Sequence, residues 1–305
     1  MRKNLRIKLD PRAELLLQGR LHNPFAYLGP HQEKDRYVIR VFNPYASEIW
    51  LKTAHGGEAL ERVHPDGLFE WHGSEEPHHP YSLRIKENGP ELNNSIERLV
   101  HDCYAFAPQI SDFDLHLFNE GKLHQAYRVL GSRAMQINGI LGVRFAVWAP
   151  NAERVSVIGE FNRWDGRIHP MAAHGSSGVW ELFIPEIEQG MLYKFEIRNH
   201  AGILLVKTDP YANAFELRPG TAARAGSTIR HPWQDAEWME QRGKWDWLHA
   251  PLNVYEIHAG SWKRHPDGRC YTYRELAENL VPYIKDMGYT HVELMPISEH
   301  PLDES

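Results

Sequence analysis

Cysteine is scarce in this chain: among 305 residues there are two, Cys103 and Cys270, far apart in different segments. That excludes a disulfide-framed secreted scaffold and favours a reducing, cytoplasmic setting. Basic residues do not exceed acidic ones, 34 Lys and Arg against 40 Asp and Glu, for a net charge of -6. Nucleic-acid binders carry a basic surplus, so that partner class is excluded. No apolar run approaches the ~18 residues of a membrane span, so no membrane partner is expected. The opening MRKNLRIKLDPR is basic, but charges interrupt any apolar core a signal peptide would need. His72, His78 and His79 cluster without cysteine at zinc-like spacing and read as surface histidines. No metal or cofactor is expected.

What is present is an ordinary globular composition, 42% hydrophobic and 24% charged, in a chain long enough for about two domains. Pro11 to Gly19 reads as a short helix with a glycine stop. Strands dominate after it. Tyr37, Ile39 and Val41 alternate with Val38 and Arg40; Ile49 and Leu51 alternate with Trp50 and Lys52. Tyr81, Leu83 and Ile85 alternate with Ser82, Arg84 and Lys86. Val143, Phe145 and Val147, then Val155 and Val157, continue the period of two, with Pro150 and Asn151 marking the turn between them. Such alternation means half-buried β-strands. Most of the ten tryptophans are expected in β-sandwich cores.

The strand-rich region repeats itself after about a hundred residues. Leu28-Gly29 answers Leu130-Gly131, and Phe42-Asn43-Pro44 answers Trp148-Ala149-Pro150. Gly67 to Glu70 answers Gly178 to Glu181. Tyr81, Leu83 and Ile85 answer Tyr193, Phe195 and Ile197; Asp102-Cys103-Tyr104-Ala105 answers Asp209-Pro210-Tyr211-Ala212. Landmarks in one order imply two copies of one unit, each with enough short strands for a small sandwich. The copies differ at one place. The second has Phe161-Asn162-Arg163-Trp164-Asp165-Gly166, and the first has Lys52 to Gly57, which reads as a plain turn. The duplication is thus expected to leave one copy with an aromatic ligand platform and one without.

Beyond about Ile229 the pattern changes. Residues 231–250 read as a polar, tryptophan-bearing linker, and Asn253 to His258 as a strand. Tyr273 to Met287 is helical, with Leu276, Leu280, Tyr283, Ile284 and Met287 on one face and Gly288 as its stop. Tyr289 to Ile297 is a second strand. Strand, helix and strand imply a parallel βαβ unit.

Several stretches together carry a family resemblance. They are Phe145 to Ala152, Phe161-Asn162 with Trp164-Asp165-Gly166, His169-Pro170-Met171, Gly178 to Pro185, Leu192-Tyr193-Lys194 and Lys207 to Ala212. They continue with Tyr255 to His258, Gly260-Ser261-Trp262, Glu293 to Ile297, and Glu299-His300-Pro301. In this order they resemble prokaryotic glycogen branching enzymes, the 1,4-α-glucan transglycosylases of the α-amylase superfamily. The resemblance implies a mainly β fold. Two tandem immunoglobulin-like β-sandwiches, 1–115 and 116–230, precede a linker and the first βαβ unit of an incomplete (β/α)8 barrel, 231–305. The second sandwich would be of glycogen-binding type. Branching enzymes join α-1,6 branches by moving α-1,4-glucan segments, and their catalytic carboxylates follow later barrel strands. This sequence supplies the first two strands, so no catalytic residue is expected in it and the chain alone is expected to be inactive. Rival readings are a non-catalytic α-glucan-binding module and the amino-terminal part of another superfamily enzyme, such as a debranching enzyme.

The expected partner is therefore an α-1,4-glucan, glycogen or amylose-like, and the candidate contacts are Trp164, Lys194 and Asn162. An indole offers an apolar face to the C–H side of a sugar, and Lys194 falls on the polar phase of its strand. Related modules use a second tryptophan just before the Asp209-Pro210 position, where this chain has Leu204, Leu205 and Val206. Trp148 and Trp180 are expected in the core or between domains. Glu256, Glu293 and Glu299 read as structural, while His258 and His300 could line a sugar cleft at strand ends.

Overall fold

The computed structural model describes residues 9–53, 56–88, 95–226 and 231–298. The chain divides into two compact units at 228/229. In the first unit a leading helix, α1 (Pro11–Leu17), is followed by β1 (Gly29–Glu33), β2 (Arg36–Phe42), β3 (Ala46–Thr53) and β4 (Gly56–Ala59). Next come β5 (Glu61–His64), β6 (Leu68–Gly73), β7 (Ser82–Asn88) and β8 (Ser95–His101). These strands form two four-stranded sheets, ordered β1-β2-β6-β5 and β4-β3-β7-β8. The alternation read from sequence explains the packing. Ile39, Val41, Ile49, Leu51, Phe69, Leu83 and Ile85 all point into one buried cluster between the sheets.

A connector helix, α2 (Asp112–Asn119), leads to the second sandwich. The sequence reading missed it. Its signal was Ser111, whose hydroxyl accepts from the Asp114 amide at 3.1 Å. The strands that follow are β9 (Gly131–Ile137), β10 (Ile140–Trp148), β11 (Ala152–Gly159) and β12 (Ala172–Ala173). After them come β13 (Val179–Pro185), β14 (Leu192–Asn199), β15 (Leu204–Lys207) and β16 (Ala223–Arg224). One sheet is ordered β12-β13-β10-β9 and the other β11-β14-β15, with β16 also on β14. Val143, Phe145, Val155, Val157, Leu182, Tyr193 and Phe195 fill the space between them. That cluster also takes in Leu28, Phe42, Leu68 and Tyr104 of the first sandwich, so the two sandwiches share an apolar seam.

The duplication is visible atom by atom. Tyr81 donates to Asp102 at 2.5 Å, and Tyr193 donates to Asp209 at the same distance. Each aspartate also accepts from the amide two residues on, Tyr104 or Tyr211. Gly29 and Gly131 both adopt positive φ, +84° and +89°, and a Cβ on either would collide with the carbonyl of Tyr104 or Tyr211. Only glycine fits there, which is why Leu-Gly survives in both copies.

The second unit is smaller. Strands β17 (Val254–Ile257) and β18 (His291–Leu294) pair in parallel, as expected of a βαβ crossover. The unit also holds α3 (Ala236–Gly243), α4 (Ala259–Trp262) and the crossover helix α5 (Tyr273–Asp286). Thr272 and Glu275 form a capping box at the start of α5. The stretch read as linker thus contains one helix, α3. Ile257, Leu276 and Leu280 are the buried core of this unit, while Tyr283 and Met287 of the same helical face remain exposed.

Two measurements test this description. Burial pushes the Asp102 carboxyl up to about 6, against hydrogen bonds from Tyr81 and the Tyr104 amide. A raised carboxyl holds its proton more tightly in the folded chain. Its contribution is full below the ordinary value of 3.8 and is lost as pH rises through about 6. Asp102→Asn is expected to remove that loss. The urea stability of the variant relative to the parent should improve by up to ~3 kcal/mol between pH 4 and pH 7. A difference that does not change with pH would refute it. Hydrogen exchange should also be faster in α5, β17 and β18 than in β10 and β14, because so few side chains bury the smaller unit. Equal protection would contradict this.

Candidate functional site

The β11-β14-β15 sheet of the second sandwich turns one face outward. On β11 the outward residues are Arg154, Ser156 and Ile158; on β14 they are Lys194, Glu196 and Arg198, in register with them. Past Gly159 the chain makes a tight turn, Glu160–Asn162, and then places Arg163 and Trp164 at φ 56° and 59°. Two successive non-glycine residues in the left-handed region cost of order 1–3 kcal/mol each. Contacts on every side of the loop offset that cost.

Asn162 holds the loop from beneath. Its Oδ1 accepts from the Gly159 amide at 2.8 Å, and its Nδ2 donates to the Val157 carbonyl at 2.9 Å. That orientation makes Nδ1 of His169, 3.0 Å away, an acceptor. Burial pushes the His169 imidazole down to about 3, with the Arg98 charge adding to the effect, so the ring is neutral and can accept. Asn162, expected as a sugar contact, is buried with its amide spent inside the protein; the structure gives it a positioning role.

The loop is also gripped from both flanks. Arg163 donates to Glu87 at 2.6 Å and stacks 4.5 Å from the Tyr45 ring, both residues of the first sandwich. Tyr45 donates to Asp165 at 2.9 Å. Burial alone would raise the Asp165 carboxyl, but hydrogen bonds from the Arg167 side chain and amide and from Tyr45 hold it below its ordinary value. On the other flank Arg154 donates to the Gly166 carbonyl at 2.5 Å, to Ser156 at 2.7 Å, and to the Glu196 carboxylate. A side chain at 166 would run into Glu196, so glycine permits the close approach. The loop therefore lies over β11, and Arg154, Ser156 and Ile158 are buried although they face outward.

On this braced loop Trp164 is 39% exposed. Lys194 lies on the same outward face, half-buried, its Nζ donating to Thr221 Oγ1 at 2.6 Å. An ammonium has three donors, so two remain for a ligand. Where the second tryptophan of related modules would fall, Leu204, Leu205 and Val206 of β15 are exposed and apolar. Trp180 is core, its indole donating to the Ala149 carbonyl at 3.0 Å. Trp148, expected in the core or between domains, is 54% exposed and meets the edge of Phe118 on α2, 6.1 Å between centroids. It ends β10 on the outward phase, where no second sheet covers it. Glu256 and Glu293 are exposed neighbours on parallel strands, not facing each other across a cleft. His258 bonds Ser261 at 2.7 Å. Glu299 and His300 lie outside the described residues.

Asn162→Ala tests the bracing. It strands the Gly159 amide and the Val157 carbonyl, and should lower the urea stability of the first unit by about 1–3 kcal/mol. A variant as stable as the parent would show that the loop holds without it.

Comparisons with known proteins agree with this architecture. The family described as alpha-1,4-glucan branching enzyme GlgB, N-terminal domain, matches residues 11–104. Carbohydrate-binding module 48 (isoamylase N-terminal domain) matches residues 129–212, the second sandwich with its loop. The 1,4-alpha-glucan branching enzyme GlgB of Nitrosospira multiformis is 60% identical over 98% of this chain and 40% of its own length. That of Nitrosomonas europaea is 57% identical over 97% of this chain and 40% of its own. A pullulanase from Anoxybacillus sp. LM18-11, solved with maltotetraose, superposes on 88% of this chain and 38% of its own, at 17% identity and a TM-score of 0.40, too loosely to bear on function. The chain spans about two fifths of the length of the curated relatives it matches. By sequence, the chain is the counterpart of the amino-terminal portion of glycogen branching enzymes.

Proposed function

We propose that this chain is the glucan-holding amino-terminal part of a 1,4-α-glucan branching enzyme. In this reading residues 1–115 and 116–230 are the two sandwiches, and 231–305 carries a linker and the start of a catalytic barrel. The complete enzyme would cut an α-1,4 linkage and pass the segment to a 6-hydroxyl, forming an α-1,6 branch. Retaining transfer of that kind needs two carboxyl groups about 5 Å apart, supplied by later barrel strands. The part assigned to these residues is to hold the polymer near that chemistry. A cytoplasmic setting fits the two free thiols, Cys103 and Cys270.

The observation that carries the reading is the half-exposed indole of Trp164 on a loop clamped from three sides. A ring already fixed in place loses little freedom on binding, and its apolar face suits the C–H side of a glucosyl unit. Lys194, on the same face, offers donors to the hydroxyls.

Affinity electrophoresis of the whole chain through a glycogen-containing gel tests this. Trp164→Ala is expected to weaken retardation about tenfold, the loss of one stacked ring. Lys194→Ala should weaken it less, and Trp148→Ala, an exposed tryptophan outside the site, should not change it. A Trp164→Ala variant retarded like the parent would overturn the reading.

A further inference from the structure

The duplication places the β4-β3-β7-β8 sheet of the first sandwich where the second has β11-β14-β15. Register then fixes which residues correspond. Trp50 pairs with Arg84, which pairs with Leu99. Ser156 pairs with Glu196, which pairs with Val206. Trp50 of the first copy therefore stands where Ser156 stands in the second. Ser156 is wholly buried under the loop that carries Trp164. The first copy has no counterpart of that loop, since β3 ends at Thr53 and β4 begins at Gly56. Its outward face is left to Trp50 itself, which is half-buried. Both copies thus carry an indole on the same face, one delivered by a loop and one standing on the sheet.

The surroundings of Trp50 are those of a ligand groove. A groove of about 680 Å³ is lined by Trp50, Lys52, Arg84, Glu97, Arg98 and Leu99, with Gly56 and Gly57 on β4. That volume lies within the ~300–1,000 Å³ of small-ligand clefts. The Arg84 guanidinium stacks over one face of the indole, 4.2 Å from the ring centroid, and lies 3.3 Å from Glu97, so that face is covered by a cation whose charge is paired with a carboxylate. Gly57 lies alongside Trp50; a Cβ there would come within 3.5 Å of the Trp50 Cβ, an ordinary contact. Glycine inside a strand weakens it and marks places where something approaches closely. A cross-strand cation–π pair that served only the sheet would explain Arg84, and a φ of +128° explains the glycine at 56, but neither accounts for Gly57, whose backbone is ordinary and whose missing side chain keeps space beside the ring free.

We propose that the outward face of the first sandwich is a second α-glucan contact, centred on Trp50 and independent of Trp164. It rests on the reading that the chain handles α-glucan. The indole face turned away from Arg84 supplies an apolar surface for one pyranose ring. Arg84 and Lys52 donate to hydroxyls, and Glu97 accepts from them, the mixed pattern that neighbouring hydroxyls on an uncharged sugar require. Two contacts on one rigid unit favour long chains over short ones, because the second binding event becomes intramolecular.

The test uses the whole chain with maltoheptaose by titration calorimetry and glycogen by affinity electrophoresis, in Trp50→Ala, Trp164→Ala and the double variant. Maltoheptaose binding that remains in Trp164→Ala should vanish in the double variant, and glycogen retardation should fall about tenfold in Trp50→Ala alone. Gly57→Val guards against a folding defect. It fills the groove while leaving Trp50 and the sheet in place, and should lose the same binding with an unchanged circular dichroism spectrum. If Trp164→Ala alone removes all binding and neither Trp50→Ala nor Gly57→Val changes it, this proposal is overturned and the Trp164 reading stands. If Trp50→Ala removes all binding and Trp164→Ala none, the Trp164 reading falls and the present one survives. A parent chain that binds neither ligand overturns both.

Discussion

The tryptophan loop depends on one buried carboxylate. Glu87, at the end of β7, is 2% exposed. A charge so placed costs several kcal/mol unless it is paired on every side. It accepts from Asn43 at 3.1 Å, from Arg98 at 2.5 Å and from Arg163 at 2.6 Å. Asn43 uses its other atom, Oδ1, to cap the amides of Tyr45 and Ala46. A single carboxylate thus joins the β2–β3 turn, the edge strand β8 and the second sandwich's loop. Arg163 satisfies it from a left-handed backbone, and Trp164 follows in the same conformation. The position of the indole is in this sense set by the neighbouring sandwich.

That dependence gives the leading copy a structural task, and the duplicated frame shows what each copy kept. The Tyr–Asp pairs and the glycines packed on Tyr104 and Tyr211 are retained because the interior leaves no alternative. The outward faces were free to diverge. One gained a loop that buries Arg154 against Glu196 and lifts a tryptophan above the sheet; the other kept a bare sheet with Trp50 under Arg84. Interior constraints and surface freedom therefore sit on alternate residues of the same strands.

How much of this was legible in the sequence follows from that alternation. Period two located the strands, and the repeated Leu-Gly and Tyr-x-φ-x-Ile landmarks located the two copies, because both arise from local packing rules. Trp50 was also visible, on the polar phase of its strand between Ile49 and Leu51. Its meaning was not, because the strand it pairs with and the glycines beside it are matters of register. Asn162 looked like a surface loop residue and proved to be the floor of the loop, since its partners, Val157, Gly159 and His169, meet only when the chain closes. Trp148 read as core or interdomain because large aromatics usually are buried, yet it stands on the outward phase of β10, which no second sheet covers. The short helices α2 and α3 escaped because a single cap and two turns give little periodicity to detect.

An indole fixed by tertiary contacts differs from one on a free loop in what binding costs. A glucosyl unit makes few strong interactions, so an ordering cost of even one side chain can cancel them. Trp164 has that cost met in advance by Glu87, Asp165 and Asn162. Trp50 has it met by the sheet and by the Arg84–Glu97 pair. On the proposed reading, weak, prepared contacts suit a glucan that must be held and then moved along. Tight binding at any one unit would stall it, whereas several weak contacts release singly and hold jointly.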